Sequence, residues 1–381
     1  MMTTSALRRR AKEARLWLFE SCFPLWAEHG LTDAGLFPEV LSLQHDELAR
    51  DVTRVRLQAR QTYLFAEAWR MGWRRDTAAR LVQSGVSILT GPALAASGLP
   101  GKTLHADGRG LADASADLYD TAFVLFALAE AANGPGPAGE ALASANAVLG
   151  ALDRLARDTA YGGYAEALPA PAVRLQNPHM HLLEACLSLY RAERSADHLA
   201  RASEIIQLFE TRFTAGEGGL LGEKFARDWS APPGEAADIV EPGHQFEWVW
   251  LLHTWSRLAD KPLPDAAARI YGFGLSTLDE AGRACQEVNR HGAAHDTSRR
   301  TWPQTEALKA HLAMYRQRGD DRFAAAACRS FDVLMDEFLT EDGGWIDHFA
   351  ADGSVLAKDM PASTGYHVVL AFAELIRVMD A

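Results

Sequence analysis

The sequence predicts an all-α fold, a closed α/α barrel built from six helical hairpins. Three observations carry that prediction. Helix-period patterning recurs almost from end to end, runs with the strict alternation of a strand are few, and glycine-rich breakers fall between the periodic segments. In chain order the candidate helices lie near residues 7–28, 52–71, 75–91, 117–132, 138–157, 178–194, 197–213, 243–259, 264–280, 303–318, 321–339 and 365–380. The stretch from Val124 to Leu128 is apolar on all sides, as in a helix buried all round. Segment 138–157 is instead alanine-rich, with Leu142, Ala145, Leu149 and Leu152 near helical spacing. YGGY (161–164), GEGGL (216–220) and DGGW (342–345) each follow a helix. They pair glycines, which accept the left-handed conformation, with an apolar neighbour that can pack back. Their uneven spacing lacks the crisp period of an open solenoid, the structural alternative, and favours the closed barrel. Three irregular stretches, 93–116, 219–242 and 281–301, have the length of functional loops. No linker separates compositional halves, so residues 1–381 are read as a single barrel domain.

The composition bounds the function. Of 381 residues, 48% are hydrophobic and 23% charged, and 38 Lys plus Arg against 50 Asp plus Glu give a net charge of −12. Disordered, collagen-like and disulfide-scaffold classes are excluded, and the lack of a basic stripe argues against a nucleic-acid partner. The longest apolar run, Ala122 to Ala129, is too short to cross a membrane, and Arg8 to Arg10 is not followed by the apolar stretch of a signal peptide. Cys22, Cys186, Cys285 and Cys328 form no CxxC pair, which fits a reduced, cytoplasmic protein. Monomer and homodimer are both compatible with the chain.

Polar residues mark helices whose faces should be apolar. HMHLLEACLSLY (179–190) sets His181 and Glu184 three apart on one face, and EPGHQFEWVWLL (241–252) repeats the H-x-x-E pattern with His244 and Glu247. WPQTEAL (302–308) brings Trp302, Gln304 and Glu306, RLQARQTYLF (56–65) brings Arg60, and GYHVVLAF (365–372) opens with Tyr366 and His367. In an α/α barrel the inner helices point one set of ends at the same mouth, so polar first turns converge. Each position taken singly also has a plain role: a histidine as a cap or satisfied core group, Arg60 as an ion-pair partner, Trp302 as core. Five such segments together favour a site. Metal is not indicated, because HExxH is absent, no Cys lies near a His cluster, and the lone ExxH, Glu241 to His244, contains Pro242 and Gly243. A Walker loop, a GxGxxG after a strand and a GxSxG are absent too, so no cofactor is expected.

At these residues the chain resembles the N-acylglucosamine 2-epimerase family of sugar epimerases and aldose–ketose isomerases. LQARQTYLF, DLYDTAF (117–123), NPHMHLLEA (177–185), EPGHQFEWVWLL, WPQTEAL and the terminal Tyr366-His367 carry the resemblance over nearly the whole chain. It implies a six-hairpin α/α barrel in which Arg60, Tyr119, Asn177, His181, His244, Glu247, Trp302, Glu306 and His367 line a sugar site. It also implies ring opening and removal of the C2 proton, through a cis-enediol-type intermediate and without metal. On that basis His244 and His367 form the acid/base pair, Glu247 orients or tunes His244, and His181 assists ring opening or proton movement on oxygen. Arg60 holds the C1–C2 oxygens, Trp302 offers a flat face, and Asn177 with Glu306 binds hydroxyls. Thr301 and Ser363 depart from residues many relatives carry. The form MPASTGYH (360–367) is most similar to the mannose isomerase branch, giving a D-mannose/D-fructose isomerase acting on monosaccharides, lyxose-type analogues included. A mannose/glucose-type or cellobiose-type 2-epimerase is the alternative. A glycoside hydrolase using Glu184, Glu247 or Glu306 would leave the histidines unexplained, and a non-catalytic sugar-binding barrel would not need His367.

Overall fold

The computed structural model describes residues 2–380. Helix α1 (Met2–Trp17) runs through a π turn at Leu18–Cys22 into α2 (Phe23–His29), forming one outer rod. Inner and outer helices then alternate. The inner ones are α3 (Val55–Met71), α5 (Leu118–Ala132), α7 (Gln176–Glu193), α9 (Pro242–Ala259), α11 (Thr301–Arg318) and α13 (Gly365–Asp380). Between them, on the outside, lie α4 (Arg75–Thr90), α6 (Ala138–Ala156), α8 (Ala196–Leu208), α10 (Ala266–Ser276) and α12 (Asp321–Val333). Each inner helix packs on the next, and α13 packs back on α3, so the ring closes as a barrel. The closed arrangement is the one the uneven breakers favoured over an open solenoid.

Sequence explains which helix goes where. From Leu118 to Ala131, α5 is buried at every residue but Tyr119: Ala122 to Ala129 is apolar around the whole circumference, and the buried Asp120 and Glu130 pair with Arg56 and with Arg70 and Arg191. Outer α12 instead has one apolar stripe, Phe323, Ala324, Ala327 and Phe331, with Arg322 and Arg329 outward. Caps set the starts: the Asp117 carboxylate accepts from the Asp120 amide at 2.7 Å, and that of Asp320 from the Arg322 amide at 2.9 Å. The glycine pairs sit in tight turns a few residues past the outer helices rather than at the helix ends. A β-bridge closes two of them, Arg157 with Tyr164 and Leu339 with Trp345.

One feature departs from the expected all-helical chain. Short antiparallel strands crown the end of the ring where the inner helices begin. Val52–Arg54 pairs with Thr103–His105, Arg174–Leu175 with Lys224–Phe225, and Ile239–Val240 with Glu287–Asn289. Arg299–Arg300 pairs with His348–Phe349, and Val40–Leu41 with Met360–Pro361. Strands of two or three residues are too short to show a period of two, so the irregular stretches concealed them. Their role is positional, since most of them deliver the chain in extended form directly into the first turn of an inner helix. Among the described residues, no helix is long and apolar enough to cross a membrane.

Candidate active site

The first turns of the inner helices converge on a cavity of about 280 Å3. Arg56 and Arg60 enter from α3, Tyr119 from α5, Asn177 and His181 from α7, His244 and Glu247 from α9, Trp302 from α11 and His367 from α13. Eight of the nine residues expected at the site therefore line one space. The ninth, Glu306, lies behind it. Helix N-termini carry unpaired amides and partial positive charge, so this mouth favours a substrate that develops negative charge.

His367 is 7% exposed, and its Nδ1–H donates to Glu306 Oε1 at 2.9 Å. Burial, with the charges of Arg60 and Lys309, holds its pKa well below that of an ordinary imidazole. The ring is thus neutral, and with its Nδ1–H held by Glu306 it leaves Nε2 as the unprotonated nitrogen. Glu306 is fully buried, and Lys309, one turn along α11, places its ammonium 2.6 Å from Glu306 Oε2.

His244 is the opposite case. Burial lowers its pKa, but the carboxylates of Glu223 and Glu241 outweigh this and raise it to about 10. Its Nδ1–H donates to Glu223 Oε2 at 2.8 Å, Glu241 lies 3.8 Å away, and Nε2 lies 3.1 Å from the Asn177 amide. Burial pushes Glu241 itself up to about 7, with the Glu223 charge adding and the His244 charge opposing. The two imidazoles flank Trp302, with ring centroids 5.0 Å (His244) and 6.0 Å (His367) from the indole. Gly243 permits this: a Cβ there would stand 2.4 Å from the Trp302 ring.

On the far wall His181 pairs with Glu184 at 3.3 Å, and its ring meets Phe123 at a tilt and Tyr119 edge to face. Arg60 donates to the Tyr119 hydroxyl at 2.8 Å and to the Ser363 carbonyl at 3.3 Å, its plane over Phe123. Ser363 thus serves through its backbone. Thr301 points away and donates to the Ile346 carbonyl.

Two expected pairings are corrected. The group on His244 Nδ1 is Glu223, from the stretch before α9, not Glu247, whose nearest cation is Lys309 at 4.0 Å. Glu306 does not face the cavity to bind a hydroxyl, because its carboxylate is spent on His367 and Lys309. Arg54 and Asp347 also line the mouth and carried no motif signal; Arg300 lines it too, where the sequence offered Arg299-Arg300 beside Trp302 either as a phosphate contact or as a solvated pair. Among the described residues, three groups could bring carboxylate and imidazole donors together around a metal: His181 with Glu184 and Glu247, Glu223 with Glu241 and His244, and Glu247 with Glu306 and His367. In each, histidine Nδ1 is already hydrogen-bonded or ion-paired to a carboxylate.

The architecture is the (α/α)6 toroid of sugar-processing enzymes. It superposes on cellobiose 2-epimerase from Spirochaeta thermophila with a TM-score of 0.87 at 25% identity, covering 98% of this chain and 97% of that one. The chain belongs to the N-acylglucosamine 2-epimerase (GlcNAc 2-epimerase) family, whose model matches residues 35–371. It is 36% identical, over 96% of each chain, to a mannose-6-phosphate isomerase of Rhizobium meliloti (strain 1021). It is also 27% identical to a D-mannose isomerase of Thermobifida fusca, over 70% of each. The protein is accordingly an enzyme of the sugar epimerase/isomerase type.

Proposed function

We propose that the protein interconverts D-mannose and D-fructose by moving a proton between C2 and C1 through a cis-enediol(ate), without metal and in the cytoplasm. The observation that carries this is the pair of histidines facing one cavity, His367 held by Glu306 and His244 held by Glu223 with Glu241 beside it. His367, neutral, takes the C2 proton on Nε2 and returns it to C1; an imidazole is suited to both steps near neutral pH. His244, an imidazolium, gives a proton to O1 as the C2 proton leaves and takes one back from O2 as C1 is protonated, and His181 assists opening of the ring. Arg60 and the helix N-termini stabilise the enediolate, Trp302 holds the apolar face of the sugar, and Asn177 contacts a hydroxyl. Glu247 supplies negative charge below His244. In this scheme one histidine carries the proton along one face. If His244 instead reprotonated C2 from the opposite face, the product would be the C2 epimer.

Incubating EDTA-treated protein with mannose in D2O separates these outcomes by NMR. Fructose with deuterium at C1 is the expected result. Glucose labelled at C2 would mean an epimerase, and mannose unchanged and unlabelled would remove mannose as substrate.

A second reading, that the sugar carries a 6-phosphate, is favoured by the arginines at the mouth. Arg54, Arg56 and Arg300 join Arg60 there, paired with Glu39, Asp120 and Asp347 respectively. The full-length relative named for mannose 6-phosphate supports it as well. Under this reading Arg300→Ala raises KM for mannose 6-phosphate on the order of tenfold and leaves mannose unchanged, as loss of a charged hydrogen bond requires. Equal KM values for the phosphosugar in wild type and variant would dismiss it.

A further inference from the structure

Beneath the cavity floor three inner helices repeat one spacing. His181 and Glu184 on α7, His244 and Glu247 on α9, and Glu306 and Lys309 on α11 each stand three apart, and the second member of each pair points deeper into the ring. Glu184 and Glu247 are thereby brought beside Glu306 and Lys309, and the three carboxylates are 3%, 1% and 0% exposed. Such a group of carboxylates needs a cation or protons, because an unpaired buried carboxylate is strongly disfavoured. Lys309, also 0% exposed, supplies the cation: its Nζ lies 2.6 Å from Glu306, 4.0 Å from Glu247 and 4.2 Å from the centre of the Trp250 ring. Burial opposes the ammonium, but the three carboxylates hold its pKa above that of an ordinary lysine. Burial, Glu247 and Glu184 raise the pKa of Glu306 above the ordinary carboxylate range, and Lys309, through its charge and its hydrogen bond, is the group that opposes this. The other polar groups facing the cluster include the Thr305 hydroxyl, which donates to Glu306 at 3.4 Å, Tyr366, whose hydroxyl donates to Glu184 at 2.5 Å, and His181, His367 and Arg60.

The state of Glu306 decides what His367 can do. As a carboxylate, Glu306 accepts the Nδ1–H, which leaves Nε2 with its lone pair towards the cavity. As a protonated acid it would donate to Nδ1, drive the proton of the neutral ring to Nε2 and leave no base facing the sugar. We propose that Lys309 is a positioning residue, the internal counter-ion that keeps Glu306 a carboxylate and so fixes the tautomer of His367. Its effect on turnover rests on the reading of His367 as base; its effect on the tautomer does not.

Lys309→Met is expected to lower kcat on the order of a hundredfold, with KM changed less than about threefold, as loss of one positioned base would. The acid limb of the pH profile moves to higher pH, because Glu306 then keeps its proton to higher pH. Lys309→Arg restores most of the activity. Nitrogen-15 NMR of His367 without sugar should show the Nδ1–H tautomer in the wild type and the Nε2–H tautomer in Lys309→Met. The double variant Glu306→Gln/Lys309→Met, which leaves no unpaired charge in that pair, should match Glu306→Gln alone. It carries the test if Lys309→Met fails to fold. An unchanged tautomer and pH profile in Lys309→Met, or losses that multiply in the double variant, would overturn the proposal. A tautomer that shifts in a protein with no C2 exchange would instead retain Lys309 in this role and dismiss the isomerase reading.

Discussion

His367→Gln is expected to lower kcat for mannose–fructose interconversion about a thousandfold and to abolish exchange of the C2 proton with solvent, a loss within the range of general base catalysis. KM should change less than about threefold. The reason is local: glutamine can still donate an amide N–H to Glu306, which today accepts from His367 Nδ1 at 2.9 Å, so the buried carboxylate stays satisfied. Trp302 and Arg60 remain to hold the sugar. The base alone is removed. In the wild type the depressed pKa of His367 keeps the ring neutral below its ordinary range. The acid limb of kcat/KM should therefore lie below about pH 6, the region where an unperturbed histidine would already be charging. Initial rates and solvent-deuterium wash-in on both proteins check the prediction together. A variant retaining a tenth of wild-type exchange would remove His367 as the base.

What the sequence could say about this site followed from periodicity. His181, His244, Trp302 and His367 were legible because each is a polar or bulky residue in the first turns of an otherwise apolar helix, a placement the hydrophobic pattern exposes. Glu223 was not, since it lies in 219–242, where no period ties a residue to a face and its pairing to His244 depends on a strand two residues long. Lys309 sits three residues from Glu306 in plain view, but a lysine on a helix is ordinarily solvated. Only the closure of the ring shows that this one is sealed against Trp250 and three carboxylates. The same applies to Arg300. Beside Arg299 it reads as an exposed pair, whereas the strand at Arg299–Arg300 turns it to Asp347 and the cavity mouth. Fold class was more accessible than pairing, because helix burial is written into composition while contacts between distant segments are not.

Glu223→Gln should convert the enzyme into one that fails at alkaline pH. The wild-type His244 ring has its pKa raised to about 10, burial being outweighed first by Glu223 and then by Glu241. An acid with a raised pKa stays protonated until pH climbs through that value, so the alkaline limb attributable to His244 should lie near pH 10. Replacing Glu223 removes the carboxylate hydrogen-bonded to Nδ1 at 2.8 Å and keeps a neutral acceptor of the same shape. Loss of one such charge lowers an ion-paired pKa by roughly one to three units. The limb should therefore fall towards neutrality, with activity about tenfold or more reduced at pH 8.5 and largely kept at pH 6. The same pairing has a stability consequence of defined sign. A histidine whose folded pKa is raised stabilises the fold fully below its unfolded value of about 6.5 and loses that contribution as pH rises towards 10. Thermal melts should thus show wild type and Glu223→Gln furthest apart at pH 6 and converging by pH 10. His244→Gln, lacking the acid altogether, should be slow across the whole range, with no alkaline limb from this group. A Glu223→Gln profile superimposable on wild type would show that the proton needed at the sugar oxygen comes from another residue, with His181 the next to replace.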